Sequence, residues 1–153
     1  MASDARRYPR TDIRRFARPL ESEDFGALKP LDEVYALEHN LEPHLSKQSL
    51  SFYTRTGHSF VAIHEQRACA FALAQAVWNG LRPSLYINYL ASQDEESCKA
   101  LIDALVKSAY DAAIYDLKAS IPQTDAIALN KLADNGFTRL ANVTLARVLG
   151  SRS

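Results

Sequence analysis

Cysteine is scarce in this chain, with two in 153 residues. A disulfide framework needs several pairs, and zinc sites and iron–sulfur clusters need more ligands at fixed spacings, so the sequence predicts none of these. Long hydrophobic runs are also missing, and none approaches the ~20 residues of a transmembrane helix. The N-terminal residues lack the apolar core of a secretory signal. We therefore expect a cytoplasmic protein with no membrane partner and no metal site.

Neither sign of charge predominates, because 18 lysines and arginines balance 18 aspartates and glutamates. Net charge therefore gives no general attraction to nucleic acid, and we expect no nucleic-acid partner. Six arginines nevertheless crowd the first 18 residues: Arg6, Arg7, Arg10, Arg14, Arg15 and Arg18. A nucleic-acid arm or a targeting peptide would explain them, but we favour a solvated, flexible basic tail over residues 1–11. Residues 12–150 are then most simply one domain.

The hydrophobic pattern predicts strands and helices in alternation. A first strand is expected at Ile13–Arg18, closed by Pro19. Helical spacing follows at four positions: Leu31, Val34, Tyr35 and Leu41. A second helix is expected over residues 46–56, with Ser46 as its N-cap and Gly57 as its stop.

A strand over residues 59–65 and a second over residues 68–78 predict a hairpin. In the second strand, one face carries Cys69, Phe71, Leu73 and Val77, and the other carries Ala68, Ala70, Ala72, Ala74 and Ala76. The small alanine face lets a helix approach closely, although it could instead be a floor left low for a ligand. We favour close packing, because protein interiors rarely leave space unfilled.

A further strand over residues 84–91 leads into the most clearly predicted helix. Ser92 and Glu95 have capping-box spacing, and an apolar stripe follows at Cys98, Leu101, Ile102, Leu105, Val106 and Ala109. Next come a strand over residues 113–119, a helix from Thr124 as cap to Gly136 at its left-handed end, and a terminal strand over Val143–Leu149. The order is β-α-α-β-β-β-α-β-α-β, an α/β fold with a mixed sheet in which a right-handed crossover joins two parallel strands.

Three landmarks in this order resemble the GNAT superfamily of N-acetyltransferases. They are Ile13–Arg18 with Glu23-Asp24, the hairpin segment Arg67–Leu73, and Asp125–Ala128 with Gly136-Phe137. The resemblance extends over nearly the whole chain. It implies a GNAT-like acyl-CoA N-acyltransferase fold, acetyl-CoA as cofactor, and an amine on a small molecule or peptide as acceptor.

The resemblance also implies where the cofactor would bind. Pantetheine would pair with the fourth strand at Asn88, Tyr89, Leu90 and Ala91, and the pyrophosphate would sit at the next helix N-terminus. The residues there are Gln93, Glu96, Ser97, Cys98 and Lys99. Glu96 and Cys98 replace two small residues of the family's turn, and three neighbouring acids oppose an anion. This turn therefore predicts weakened acetyl-CoA binding.

The family's proton-handling residues are replaced as well. Leu132 stands where many members have the tyrosine that protonates the departing thiolate, and Asp125 replaces a common asparagine. The remaining candidates for catalytic residues are Glu38 and His39, at the corner between the first two helices, and Tyr86 on the central strand. The alternatives are an exposed loop histidine and a packed core tyrosine. For Cys98, a buried inert thiol is the favoured interpretation.

The sequence is compatible with two main functions and a third alternative. One is a GNAT-like acyltransferase with an atypical pyrophosphate turn, which moves an acyl group from CoA to a primary amine. The other is a catalytically degenerate GNAT-fold module for binding or dimerisation, in which case a homodimer is expected. A third is an α/β domain that binds some other ligand. The sequence identifies neither the acceptor nor the oligomeric state.

Overall fold

The computed structural model describes residues 15–150 of the chain. This range contains the strands β1 (Phe16–Pro19), β2 (Phe60–His64), β3 (Arg67–Trp78), β4 (Pro83–Ala91) and β5 (Leu117–Ala119). Its α-helices are α1 (Phe25–Glu38), α2 (Lys47–Arg55), α3 (Glu95–Asp111) and α4 (Ala126–Asp134). The predicted basic tail and the start of the predicted first strand, Ile13 and Arg14, lie outside the described residues. No helix in this range is long and apolar enough to cross a membrane.

The five strands form one sheet in the order β1-β2-β3-β4-β5. The first four strands pair antiparallel, and β5 pairs parallel to β4 after the crossover through α3. Helices α3 and α4 pack on one face, in a core with Leu85 and Ile87. Helices α1 and α2 pack on the other face, against Phe71 and Leu73. The predicted α/β class with a mixed sheet is therefore confirmed.

Alanines on β3 let α3 approach the sheet closely. Ala70, Ala72 and Ala74 are fully buried in the core to which α3 contributes. This confirms the prediction of close packing, and the alternative of a low floor for a ligand does not apply. The prediction assigned one alanine too many to this face at each end of the strand. An irregularity in the β2–β3 register moves Ala68 to the α1 and α2 side, and Ala76 is exposed.

Two helix caps differ from the prediction, because in each case an aspartate one or two residues further on reaches the free amides. Asp94 caps α3 by accepting a 2.7 Å hydrogen bond from the Ser97 N–H, whereas Ser92 donates to the Asp94 carbonyl. Asp125 caps α4 and accepts from the Ala128 N–H at 3.0 Å, so Thr124 is not the cap.

The other predicted helix ends are confirmed. Ser46 caps α2 by accepting from the Ser49 N–H at 3.1 Å. Gly57 and Gly136 adopt φ angles of 76° and 87°, the left-handed conformation that glycine adopts without steric cost.

The predicted terminal strand at Val143–Leu149 is absent from the structure, and that prediction was wrong. Phe137 donates its N–H to the Leu132 carbonyl at 3.0 Å, and residues 138–150 then continue without regular structure. Every one of these residues is exposed. A strand needs a partner edge, and this segment pairs with none of the described strands.

Candidate functional site

The strands β4 and β5 separate halfway along β4. Their parallel pairing covers only Leu85–Ile87 of β4, and a hydrogen bond of 3.1 Å from the Ser120 N–H to the Ile87 carbonyl follows it. Beyond Ile87, β4 continues to Ala91 with β3 as its one partner among the described strands. The residues predicted to hold pantetheine, 88–91, therefore border an opening in the sheet, which we call the β4/β5 gap.

A β-bulge at Asn88 marks the point where the gap begins. Tyr89 pairs with Leu73 and Ile87 pairs with Ala74, so Asn88 is an extra residue in β4. The bulge shifts the alternation of side chains, and Tyr89 packs on the α1 and α2 side instead of sharing a face with Ile87. A regular strand over residues 84–91, as the sequence predicts, would put these two residues on the same face, and the bulge is the reason that it does not.

A buried hydrogen bond connects α1 to the start of α4 at this gap. The Tyr35 hydroxyl donates to Asp125 Oδ2 at 2.5 Å, and the two residues are 1% and 3% exposed. Tyr35 belongs to the core on one face of the sheet, whereas Asp125 caps a helix that packs on the other face. A contact between the two layers requires an opening between strands, and we therefore place this bond in the β4/β5 gap.

The environment keeps the Tyr35 phenol protonated. Burial, followed by the hydrogen bond to Asp125 and its negative charge, raises the pKa of Tyr35 well above its usual range. Asp125 also acts on Cys98, whose thiol is fully buried in the first turn of α3. Burial, with Asp125 and Asp94 as further causes, raises the pKa of Cys98 to about 12. The Cys98 thiol is therefore buried, as the favoured interpretation predicted, and its surroundings favour the protonated form.

A second buried carboxylate fixes the corner between α1 and α2. Asp32 accepts hydrogen bonds from the Tyr89 hydroxyl at 2.7 Å and from the N–H groups of His44 and Leu45 at 3.1 and 2.8 Å. The His44 ring stacks on Tyr89 with ring centroids 3.8 Å apart. Sequence reasoning missed Asp32. Its signal is its spacing from Tyr35 on the buried side of α1, where a carboxylate needs partners.

An arginine lies across the N-terminus of α3. Arg15 donates to Ser97 Oγ at 2.9 Å and to Glu96 at 2.8 Å, and its Nε is 3.3 Å from Asp94. This guanidinium partly neutralises the acidic turn, which the sequence did not reveal. The Asp94 side chain meanwhile occupies the Ser97 N–H, one of the amides that a bound pyrophosphate would use.

The other predicted cofactor residues have varied surroundings. Leu90 and Ala91 are buried, so only their backbone groups are available to a ligand at the gap. Gln93 is exposed and lines a shallow concavity of about 410 Å³ beside the β2–β3 hairpin. Lys99 pairs with Asp103 at 2.7 Å, one helical turn further along α3.

The three candidate catalytic residues do not form a connected cluster. His39 contacts Thr124 through Nδ1 at 2.7 Å, which makes a second link between α1 and the start of α4. Glu38 is exposed beside it, and Tyr86 is half-buried between Gln75 of β3 and Lys118 of β5. Within residues 15–150, no hydrogen bond joins any of the three to another, and their catalytic role stays a prediction.

Comparison with known proteins gives a family and a fold. The family model described as "Protein of unknown function (DUF1999)" matches residues 15–153. The wild-type TTHA1254 protein of Thermus thermophilus is 34% identical, with a TM-score of 0.75 over 89% of this chain and 98% of that one. None of the curated proteins compared with the chain matches it.

Two more distant solved structures share the fold. A predicted acetyltransferase from Clostridium acetobutylicum, solved with acetyl-CoA, has 13% identity and a TM-score of 0.65, over 87% of this chain and 96% of that one. The aminoglycoside N-acetyltransferase AAC(6')-Iy, solved in complex with CoA, has 16% identity and a TM-score of 0.68, over 88% and 94%. The fold of the chain is therefore the GNAT acetyltransferase fold, and the chain belongs to the DUF1999 family of proteins of unknown function.

Proposed function

We propose that this protein is an acyltransferase that moves an acyl group from a CoA thioester to an amine. The observation that carries the proposal is the β4/β5 gap. Residues 88–91 offer backbone N–H and C=O groups on the side where β5 has diverged, and the amides of pantetheine can pair with such groups as an added strand would. The two distant structures solved with acetyl-CoA or CoA support this cofactor for the fold.

The reaction needs an amine nucleophile at the gap and a group that takes its proton. The amine nitrogen bonds to the thioester carbonyl carbon, the C–S bond breaks, and the sulfur leaves as a thiolate that accepts a proton. We propose that the acceptor approaches from the α1 side, where Glu38 and His39 end the helix and Tyr86 lies on β4. His39 is the preferred base, because a neutral imidazole nitrogen can accept a proton from the attacking amine.

A second candidate function is a GNAT-fold module that has lost CoA chemistry, and the Tyr35–Asp125 bond favours it. Pantetheine in the gap would have to displace this buried pair, and an unsatisfied buried polar group costs about 1–3 kcal/mol. A carboxylate about 5 Å from a phosphate costs a further 1–3 kcal/mol or so. Together these costs are a large share of the roughly 8 kcal/mol of a micromolar complex.

Calorimetric titration of acetyl-CoA into the full chain separates the two candidates, with CoA as the comparison ligand. Low-micromolar binding supports the acyltransferase, and a screen of amines for CoA release then identifies the acceptor. Absence of binding at millimolar acetyl-CoA overturns the acyltransferase for this chain.

An Asp125→Asn variant makes the titration sharper. This change removes the carboxylate that holds Tyr35 and supplies the asparagine common in GNAT enzymes. Asp111→Asn, which removes an exposed carboxylate at the far end of α3, is the matched control. If the Tyr35–Asp125 bond alone prevents entry, acetyl-CoA binds the first variant and not the control.

A further inference from the structure

The C-terminal segment, defined here as residues 143–149, has the composition of a strand but forms none. Valine and leucine recur through it, yet it makes no hydrogen bond to any other described residue. Leu145 and Val148 are 89% and 94% exposed, and Val143 and Leu149 are also largely exposed. Scattered exposed aliphatic side chains are normal on a protein surface, but four within seven residues indicate a surface that becomes covered.

The sheet has an unpaired edge to which such a segment could add as a strand. β5 is the last strand in the sheet order, so its outer edge has no partner strand within residues 15–150. Tyr115, just before β5, and Tyr110, at the end of α3, are both strongly exposed with their rings 6.0 Å apart. An uncovered edge presents free N–H and C=O groups, to which another extended segment can add.

We infer that the C-terminal segment of one copy pairs with the outer edge of β5 in a second copy, and that the exchange is reciprocal. The occupant is a second copy because each chain carries both the unpaired strand and the unpaired edge. In a two-fold exchange, both C-terminal segments and both β5 edges of the dimer gain a partner through the same contact made twice. Most homodimers have this closed, two-fold arrangement. The aliphatic side chains would pack beside Tyr110 and Tyr115. This inference goes beyond the proposed acyltransferase and stands whether or not CoA binds.

Sedimentation velocity over a concentration series tests the inference on the full chain. We expect a dimer for the wild type and a dissociation constant at least tenfold higher for Leu145→Glu. Val34→Glu is the matched control, because Val34 is 52% exposed on α1 and lines the concavity beside the β2–β3 hairpin, and this variant should sediment as the wild type does. Circular dichroism verifies that both variants are folded. A monomeric wild type, or a Leu145→Glu dimer of unchanged affinity, overturns the inference.

Hydrogen exchange of the wild type gives an independent answer if Leu145→Glu fails to fold. The amides of residues 143–149 and of β5 should be protected in the dimer and lose protection on dilution to monomer. Protection that persists in a monomer would mean that the segment folds back onto its own β5, and would overturn the inference. So would a dimer in which these amides exchange freely.

Discussion

The Tyr35 hydroxyl and the Asp125 carboxylate meet in a hydrogen bond of 2.5 Å although they belong to opposite layers of the fold. The bond is possible because β5 has diverged from β4 at that level. The same opening that would admit pantetheine is thus used by an internal contact. Stability and cofactor binding are therefore expected to depend on the same two side chains.

Alkaline pH should destabilise the protein through its buried tyrosines. Burial and neighbouring carboxylates raise the pKa of Tyr35 and of Tyr89, so both stay protonated in the folded state after they ionise in the unfolded state. Above about pH 10 the unfolded state binds fewer protons, and the free energy of unfolding falls by about 1.4 kcal/mol per pH unit for each tyrosine. Urea unfolding between pH 8 and 11 measures this slope. Tyr35→Phe should reduce it, whereas a slope equal to that of the wild type would contradict the assignment.

Loss of Asp32 should destabilise the corner between α1 and α2. Asp32→Ala leaves the Tyr89 hydroxyl and the N–H groups of His44 and Leu45 without their acceptor. At about 1–3 kcal/mol for each unsatisfied buried group, we expect a loss of about 3 kcal/mol or more in urea unfolding. Glu33→Ala, at the exposed neighbouring position, is the control and should change stability by less than about 0.5 kcal/mol. Equal effects of the two substitutions would refute the role of Asp32.

The Asp94 carboxylate should weaken cofactor binding more than it strengthens α3. Asp94→Asn keeps an N-cap oxygen for the Ser97 N–H, so stability should change by less than about 1 kcal/mol. Removal of one negative charge near the pyrophosphate should tighten acetyl-CoA binding about tenfold, which corresponds to roughly 1.4 kcal/mol. Calorimetry with Asp111→Asn as control measures the effect. A change of the same size in the control would assign it to net charge instead.

The Arg18–Asp24 pair should stabilise the protein in a way that acid removes. Burial alone would raise the pKa of Asp24, but hydrogen bonds from Arg18 and from the Glu21 N–H hold it below its usual range. Its contribution is therefore present above about pH 4, the unfolded pKa, and is lost as pH falls through the lower folded pKa. The stability difference between the wild type and Arg18→Met should shrink over that window. Arg55→Met, at an exposed position on α2, should show no such pH dependence.

Local patterns predicted the elements of the fold, and long-range contacts decided the details of the site. The apolar stripe from Cys98 to Ala109 and the alanines of β3 sufficed to place α3 on the sheet. The Arg15 contact with Ser97 joins residues 82 positions apart and has no local signal. Tyr35 and Asp125 are 90 positions apart. In the sequence, Tyr35 has only helical spacing and Asp125 only replaces a common asparagine, so neither pattern indicates their contact. The terminal strand was predicted from alternation alone, which cannot say whether a partner edge is present.

The bulge at Asn88 has a consequence for any comparison between related chains. The extra residue reverses the alternation of side chains along β4. An alignment that is shifted by one position after Asn88 therefore matches residues that face one layer with residues that face the other. Deletion of Asn88 itself would leave Ile87, Tyr89 and Leu90 in regular alternation, so Tyr89 would still face the Asp32 side and Leu90 would stay in the core. A homologue that is one residue shorter at this point can therefore keep the same core, and an alignment gap placed at Asn88 keeps its side chains matched layer by layer.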